Sequence, residues 1–274
     1  AIVVVAAAGL LTPHAFAEPW RLAAVFIAAA ALALLGAIDD IRPLEAWPRL
    51  MLQAVAVAVV IAVLPAGLRV IPMLPWWIER ALMGIAVLWL VNLVNFMDGI
   101  DWITVVEIVP ITAALAIFGW RGALPPEATA TALALCGALI GFAPFNRPVA
   151  KLFLGDVGSL PIGLLLGWLL IALAEHHLAA ALLLPLYYVA DATITLLRRL
   201  VRGERITQAH RSHFYQRAVD GGLGVYPVVA RIFVVNISLT VLAASTLHAS
   251  PGVTLLALAG GGSLVAALSE ALAE

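Results

Sequence analysis

Apolar runs follow one another along almost the whole chain, near 1–11, 20–38, 49–65, 78–97, 103–119, 128–145, 157–174, 178–197, 226–247 and 252–270. Most approach the roughly 20 residues that a helix needs to cross the hydrocarbon of a bilayer. Proline and glycine punctuate the gaps, at Thr12-Pro13, Pro43, Pro65-Ala66-Gly67, Pro72, Pro75, Pro125-Pro126, Pro148 and Pro251-Gly252. Backbone polar groups inside a bilayer must find partners within the protein, which makes helices the expected spanning form. The pattern predicts an all-α, polytopic transmembrane helix bundle of about ten spans, a single domain over residues 1–274. The polar exceptions fall where runs end: Asp39-Asp40, Asp98 with Asp101, Asp156, and the stretch 201–225.

Composition agrees with this picture. The chain is 64% hydrophobic and 11% charged, with a mean hydropathy of +1.08, which excludes an ordinary soluble domain. A lone cysteine, Cys136, rules out a disulfide within the chain. The net charge of -1 is uninformative, but its distribution is not. Numbering the loops alternately puts 11 of the 15 basic residues in one set (Arg42, Arg49, Arg147, Lys151, Arg198, Arg199, Arg202, Arg205, Arg211, Arg217 and Arg231) and Arg21, Arg69, Arg80 and Arg121 in the other. The positive-inside rule assigns the first set to the cytoplasm, and the highlighted aspartates share that side. No nucleic-acid partner is expected. The sequence opens directly on AIVVVAAAGLL, and the expectation is that an N-terminal span and loop are missing from it.

Acids beside membrane segments are functional candidates, because a carboxylate at the bilayer centre costs roughly 2.5–3.5 kcal/mol on insertion scales. Adjacent carboxylates at a helix C-terminus also oppose the helix dipole. Asp39-Asp40 therefore reads as a cation site or, more simply, as an interface marker. Hard oxygens with room for substrate phosphate suit Mg²⁺ (or Mn²⁺). Asn92, Asn95 and Asp98 are spaced by three, so on a helix they share one face, either as a site or as interhelical glue. Asn146, Arg147, Lys151 and Phe153 precede Gly155-Asp156-Val157-Gly158-Ser159, whose amides and hydroxyl are candidates to meet phosphate at a helix N-terminus. His210-Arg211-Ser212-His213 suits a pyrophosphate or, as a basic juxtamembrane segment, anionic headgroups.

Taken in order, these four segments resemble the polyprenyl-phosphate N-acetylhexosamine-1-phosphate transferase family (glycosyltransferase family 4). That family includes the bacterial lipid-carrier GlcNAc-1-phosphate transferases and the phospho-MurNAc-pentapeptide translocase. Its Asp-Asp loop matches Asp39-Asp40 and its Asn-x-x-Asn-x-x-Asp-Gly-x-Asp segment matches 92–101. Its Asn…Phe-x-Gly-Asp-x-Gly-Ser loop resembles 146–159, and its histidine loop matches 210–216. His-Arg-Ser-His-x-Tyr-Gln is similar to the branch that starts O-antigen or other envelope polysaccharides. Trp102 departs from the pattern, since most members carry Gly there. The earlier span and Arg/Pro/Gly-rich loop of the family are not in this sequence.

The resemblance implies transfer of HexNAc-1-phosphate from a UDP-N-acetylhexosamine to undecaprenyl phosphate, releasing UMP, in a bacterial inner membrane with a cytoplasmic active site. It implies catalytic roles for Asp39, Asp40, Asp98 and Asp156, with Mg²⁺ or Mn²⁺ on Asp40 and Asp156. Asn95, Asp101, Asn146 and Phe153 would contact substrate, with uridine on the last three, and His210, Arg211 and His213 the sugar diphosphate. Membrane lipids and a homodimeric partner are the other expected associations. An ion-coupled transporter or lipid-linked sugar flippase is the alternative, although in such proteins the acids lie near the bilayer midplane. The absence of His-Glu-x-x-His counts against a zinc protease.

Overall fold

A computed structural model describes residues 18–204 and 211–273. Ten helices and no strands occur among these residues: α1 (Pro19–Ile41), α2 (Ala46–Val63), α3 (Trp76–Met97), α4 (Ile103–Trp120), α5 (Pro126–Phe142), α6 (Gly155–Leu183), α7 (Leu186–Val201), α8 (Phe214–Asp220), α9 (Val225–Thr246) and α10 (Pro251–Ala271). Seven of them, α1, α2, α3, α4, α6, α9 and α10, are long and apolar enough to cross a membrane. The all-α polytopic reading holds, but the count of about ten spans is not reproduced. The first predicted run, 1–11, lies outside the described residues. Helix α5 has only 17 residues. The predicted span 178–197 is divided: α6 runs past a non-helical His177 to Leu183, and α7 restarts after Pro185.

Helix α6 is the axis of the bundle, packing most extensively on α1 and α3. Small residues allow the close approach. A Cβ at Gly163 would stand 2.6 Å from the Val91 Cα of α3, and one at Gly36 would stand 2.3 Å from the backbone of Asp156. Leu160, Leu164, Leu169 and Leu173 of α6 are fully buried, whereas Ile27, Ile85, Leu133 and Leu255 face outward, as a lipid-facing surface requires.

The restart of α7 leaves free amide groups at its first turn inside the bundle. Glu107 of α4, fully buried, accepts the Tyr188 amide at 3.4 Å. Its other oxygen accepts Asn236 Nδ2 of α9 at 2.5 Å. One carboxyl thus ties three helices together and meets the positive end of the third.

Replacing Gly36 by Ala should lower the thermal midpoint in detergent, because the new methyl group meets immovable backbone and overpacking costs about 1–3 kcal/mol. A Cβ at Gly137 meets nothing within 4 Å. Gly137→Ala should therefore hold or slightly raise the midpoint, since Gly in a helix interior costs roughly 0.5–1 kcal/mol relative to Ala.

Candidate active site at the acidic end of the bundle

The chain reverses between α1 and α2, between α3 and α4, and before α6, at one end of the bundle, and these reversals bring the aspartates together. Asp40, in the last turn of α1, accepts the amides of Asp156 and Val157 at 3.1 and 3.2 Å. It therefore caps α6. Gly155, with φ +61°, turns the chain into that helix, and a Cβ there would lie 2.6 Å from Asp40 Oδ2. Both the conformation and the space call for glycine.

Asp39 points the other way. Its Oδ1 accepts the Leu44 amide at 2.6 Å and its Oδ2 accepts Arg49 Nη1 at 2.7 Å. The same guanidinium nitrogen lies 3.6 Å from Asp156 Oδ2, so Arg49 bridges two carboxylates. Asp156 Oδ1 accepts Asn95 Nδ2 at 2.5 Å, while its Oδ2 is buried without a hydrogen bond. Asn95 also donates to Ser159 at 3.0 Å. Two expectations are revised here. Two first-turn amides of α6, those of Asp156 and Val157, do not wait for a phosphate, because Asp40 takes them. Ser159 is buried against Asn95 rather than presented to a ligand.

Asp98, at the end of α3, accepts the Thr104 hydroxyl at 2.5 Å, and Thr104 lies 3.4 Å from the Tyr188 hydroxyl. Burial pushes the Asp98 carboxyl up to about 6, and the charges of Asp156 and Asp101 add to this against the opposing Thr104 bond. Asp101 Oδ2 accepts the Ala150 amide at 3.0 Å. Asn146 is buried and uses both ends of its amide inside the protein, accepting from the Trp102 amide at 2.9 Å and donating to the Leu152 carbonyl at 3.0 Å. Asp101 and Asn146 thus brace the loop before α6, while Phe153 is 74% exposed. Trp102, at φ 68°, donates its indole N–H to the Ala143 carbonyl at 2.7 Å and meets the Tyr226 ring edge-on at 5.9 Å.

From Arg211 onward, the described part of the histidine loop packs against the same end. His210 lies outside the described residues. His213 is buried, its Nδ1 3.0 Å from Asp191 Oδ1 of α7. Asp191, fully buried, also accepts from Tyr187, Thr195 and the Phe214 amide, so one carboxylate fixes the start of α8. The His213 ring stacks on Tyr215. Tyr215 and Gln216 press on Gly99, where a Cβ would stand 2.3 Å from the Tyr215 hydroxyl. Burial, with the charges of Asp191 and Asp98, holds the Tyr215 hydroxyl well above the usual phenol range, and it stays a donor, 3.5 Å from the Phe96 carbonyl. Arg211 is exposed and pairs with Asp220 at 3.1 Å.

Reading the residues alone missed Arg49, counted only as a basic residue. Its place at the start of the span after Asp39-Asp40, on the same face, was the available signal. Among the described residues no group of three His, Cys, Asp or Glu side chains is placed to hold a metal ion. The donor set nonetheless suits Mg²⁺, which commonly takes one or two protein carboxylates and fills its remaining positions with water and substrate phosphate. Asp156 Oδ2, which makes no hydrogen bond and only the 3.6 Å ion pair with Arg49, and Asp39 Oδ2, which shares that guanidinium, offer such a pair.

An all-helical membrane protein with carboxylates, an arginine and amide side chains gathered at one end has the architecture of an integral-membrane group-transfer enzyme. Residues 22–174 match the family described as glycosyl transferase family 4, and the chain belongs to that family. It is 27% identical over 271 residues to a probable undecaprenyl-phosphate N-acetylglucosaminyl 1-phosphate transferase of Bacillus subtilis (strain 168), covering 91% of this chain and 74% of that protein. It is 33% identical over 147 residues to the phospho-N-acetylmuramoyl-pentapeptide-transferase of Streptococcus pneumoniae (strain Hungary19A-6), covering 50% of this chain and 44% of that enzyme. The enzyme of the same name in Lactiplantibacillus plantarum is 30% identical over 163 residues, 57% of this chain and 50% of its own.

Asp98 sets a pH dependence. The unfolded group titrates near 3.8 and the folded one near 6, so between these values the folded protein holds the extra proton. The contribution of this group to stability therefore falls as pH rises through that window. In protein stripped of divalent cations, difference infrared spectra between about pH 5 and about pH 7 should show a carboxyl losing its proton, and Asp98→Asn should lack that band. The midpoint of wild type should also fall more steeply over the interval than that of Asp98→Asn. Identical spectra and slopes in both would show that Asp98 is not the titrating group.

Proposed function

We propose that this chain transfers a HexNAc-1-phosphate from a UDP-HexNAc to undecaprenyl phosphate at the cytoplasmic face of a bacterial inner membrane, releasing UMP. The product would be the first lipid-linked intermediate of an O-antigen or another envelope polysaccharide. The observation that carries this reading is the convergence of Asp39, Asp156, Asn95 and Arg49 on one point, with Asp40 fixing the turn that presents Asp156. The similarity to a transferase named for undecaprenyl phosphate supports the same substrate class.

The acceptor is a phosphate monoester whose second pKa is about 6, largely dianionic near neutral pH. It needs little help from a base, so positioning and charge neutralisation dominate. An acceptor oxygen forms a bond to the β-phosphorus, and the bond from that phosphorus to the bridging oxygen breaks, with UMP taking the electron pair. Asp156 and Asp39 are the residues assigned to hold Mg²⁺, with Asp40 as their brace; this shifts the Asp40–Asp156 pair expected from the resemblance. When bound, the cation supplies neutralisation of the diphosphate charge. Arg49 adds a guanidinium at the same point, suited to phosphate oxygens. Asp98 lies behind Asp156, and its protonation modulates the negative charge there. His213 acts through the fold of the loop that it pins, while exposed Arg211, with His210, is assigned to the sugar diphosphate.

In detergent with UDP-GlcNAc and undecaprenyl phosphate, UMP release should require a divalent cation. Asp156→Asn should lower turnover by a factor on the order of 100 to 1,000 without a large change in thermal midpoint. Near-normal turnover of Asp156→Asn, or of wild type in EDTA, would overturn the assignment.

Sidedness can be read independently. Cys136 is buried. In a Cys136→Ala background of intact cells, Lys151→Cys should resist a membrane-impermeant maleimide while Arg121→Cys reacts. The reverse pattern would place the acidic end outside the cytoplasm.

A further inference from the structure

At the other end of the bundle, a groove of about 500 Å³ runs between α2 and α3. Its walls are apolar, from Val57, Ile61 and Leu64 to Ile85 and Leu88, and its bed is shallow at Ala58 and Gly84. One charged residue lines it, Arg80, which is 5% exposed. Arg80 Nη2 donates to the carbonyls of Pro65 and Leu68 at 2.6 and 3.1 Å, and its guanidinium lies 5.4 Å from the centre of the Trp76 ring. Nε and Nη1 are buried and have no acceptor. The neighbouring carboxylate, Glu79, is committed to Arg69 and to the amides of Val70 and Ile71. Among the described residues no carboxylate lies within 4.0 Å of the Arg80 guanidinium. Glu79 and Glu175 act on it only from a distance, and a buried cation without a direct partner costs several kcal/mol, so the site favours an anion.

The anion is best carried on an apolar body, because apart from Arg80 and the Trp76 indole the lining is aliphatic. Trp76 and Trp77, both more than half exposed at the start of α3, mark the level at which amphipathic rings sit beside headgroups. Arg80 is one turn deeper, within reach of a lipid phosphate. It is also 15 residues before Asn95 on the same helix, about 22 Å along the axis. A lipid whose phosphate meets Arg80 is therefore not one whose phosphate is at the acidic cluster, and belongs to the opposite leaflet.

We propose that this groove binds an anionic glycerophospholipid, with its phosphate on Arg80 and an acyl chain laid between α2 and α3 across Gly84. The assignment does not depend on the transferase reading. The full chain in neutral detergent, titrated with phosphatidylglycerol and phosphatidylcholine, should show a thermal midpoint raised by the first much more than by the second. Native mass spectrometry should show one phosphatidylglycerol retained. Arg80→Gln should weaken that binding about tenfold, the loss of a charge-assisted hydrogen bond. Gly84→Leu keeps the cation and fills the bed, so it should lose the lipid while UMP release, where present, is unchanged. Inorganic phosphate should give no shift. Equal retention in wild type and both variants, an equal shift with phosphatidylcholine, or one-for-one displacement by undecaprenyl phosphate would each overturn the proposal.

Discussion

The acidic end of this bundle is organised by the need to satisfy the first amides of α6 at the membrane face. Asp40 does this from the neighbouring helix, so the negative end of α1 meets the positive end of α6. The contact requires the helices to close at Gly36 and the chain to enter α6 through a left-handed Gly155. Everything near it inherits its position: Asp156 is turned toward Asn95 and Arg49, and Asp39 is left on the far side of the pair. Of the two adjacent carboxylates, one is thus balanced by backbone dipoles and the other by a guanidinium. One buried oxygen of Asp156 makes no hydrogen bond and only a 3.6 Å ion pair with Arg49.

The sequence made the helical class, the reversals and the four polar segments legible, because apolar length and turn residues are local properties. It did not show how each polar group is employed. Asp39 and Asp40 are adjacent, yet one holds a side chain and the other a helix terminus, a distinction that depends on the direction in which α6 arrives. The resemblance implies uridine contacts for Asn146 and Asp101; what the residues alone did not show is that their polar atoms also join the 146–152 loop to the start of α4. Arg49 looked like one more cytoplasmic charge. The division of the 178–197 run is not legible in the pattern either, since a proline at 185 is compatible with a kinked span as well as with a restart.

Behind the acidic surface lies a second layer of polar groups that touches no solvent. Glu107 joins α4, α7 and α9, and Asp191 joins α7 to the loop helix. In a bundle whose helices otherwise meet through interchangeable aliphatic side chains, these bonds fix rotation and height, which packing alone specifies weakly. The Thr104 hydroxyl connects this layer to the surface, bonded to Asp98 and facing Tyr188.

Trp102 shows how such coupling can hold a residue in a costly conformation. A bulky residue at φ 68° carries a backbone cost of roughly 1–3 kcal/mol, and glycine would relieve it. The indole, however, holds the Ala143 carbonyl and abuts Tyr226, whose hydroxyl donates to the Pro148 carbonyl at 3.0 Å. Exchanging Trp102 for Gly in one step relaxes the turn but loosens both ends of the loop that leads to Asp156. Positions 102 and 226 are consequently coupled: the two rings meet edge-on, and between them they hold carbonyls at both ends of one loop, so a change at either position is felt by the other's anchor.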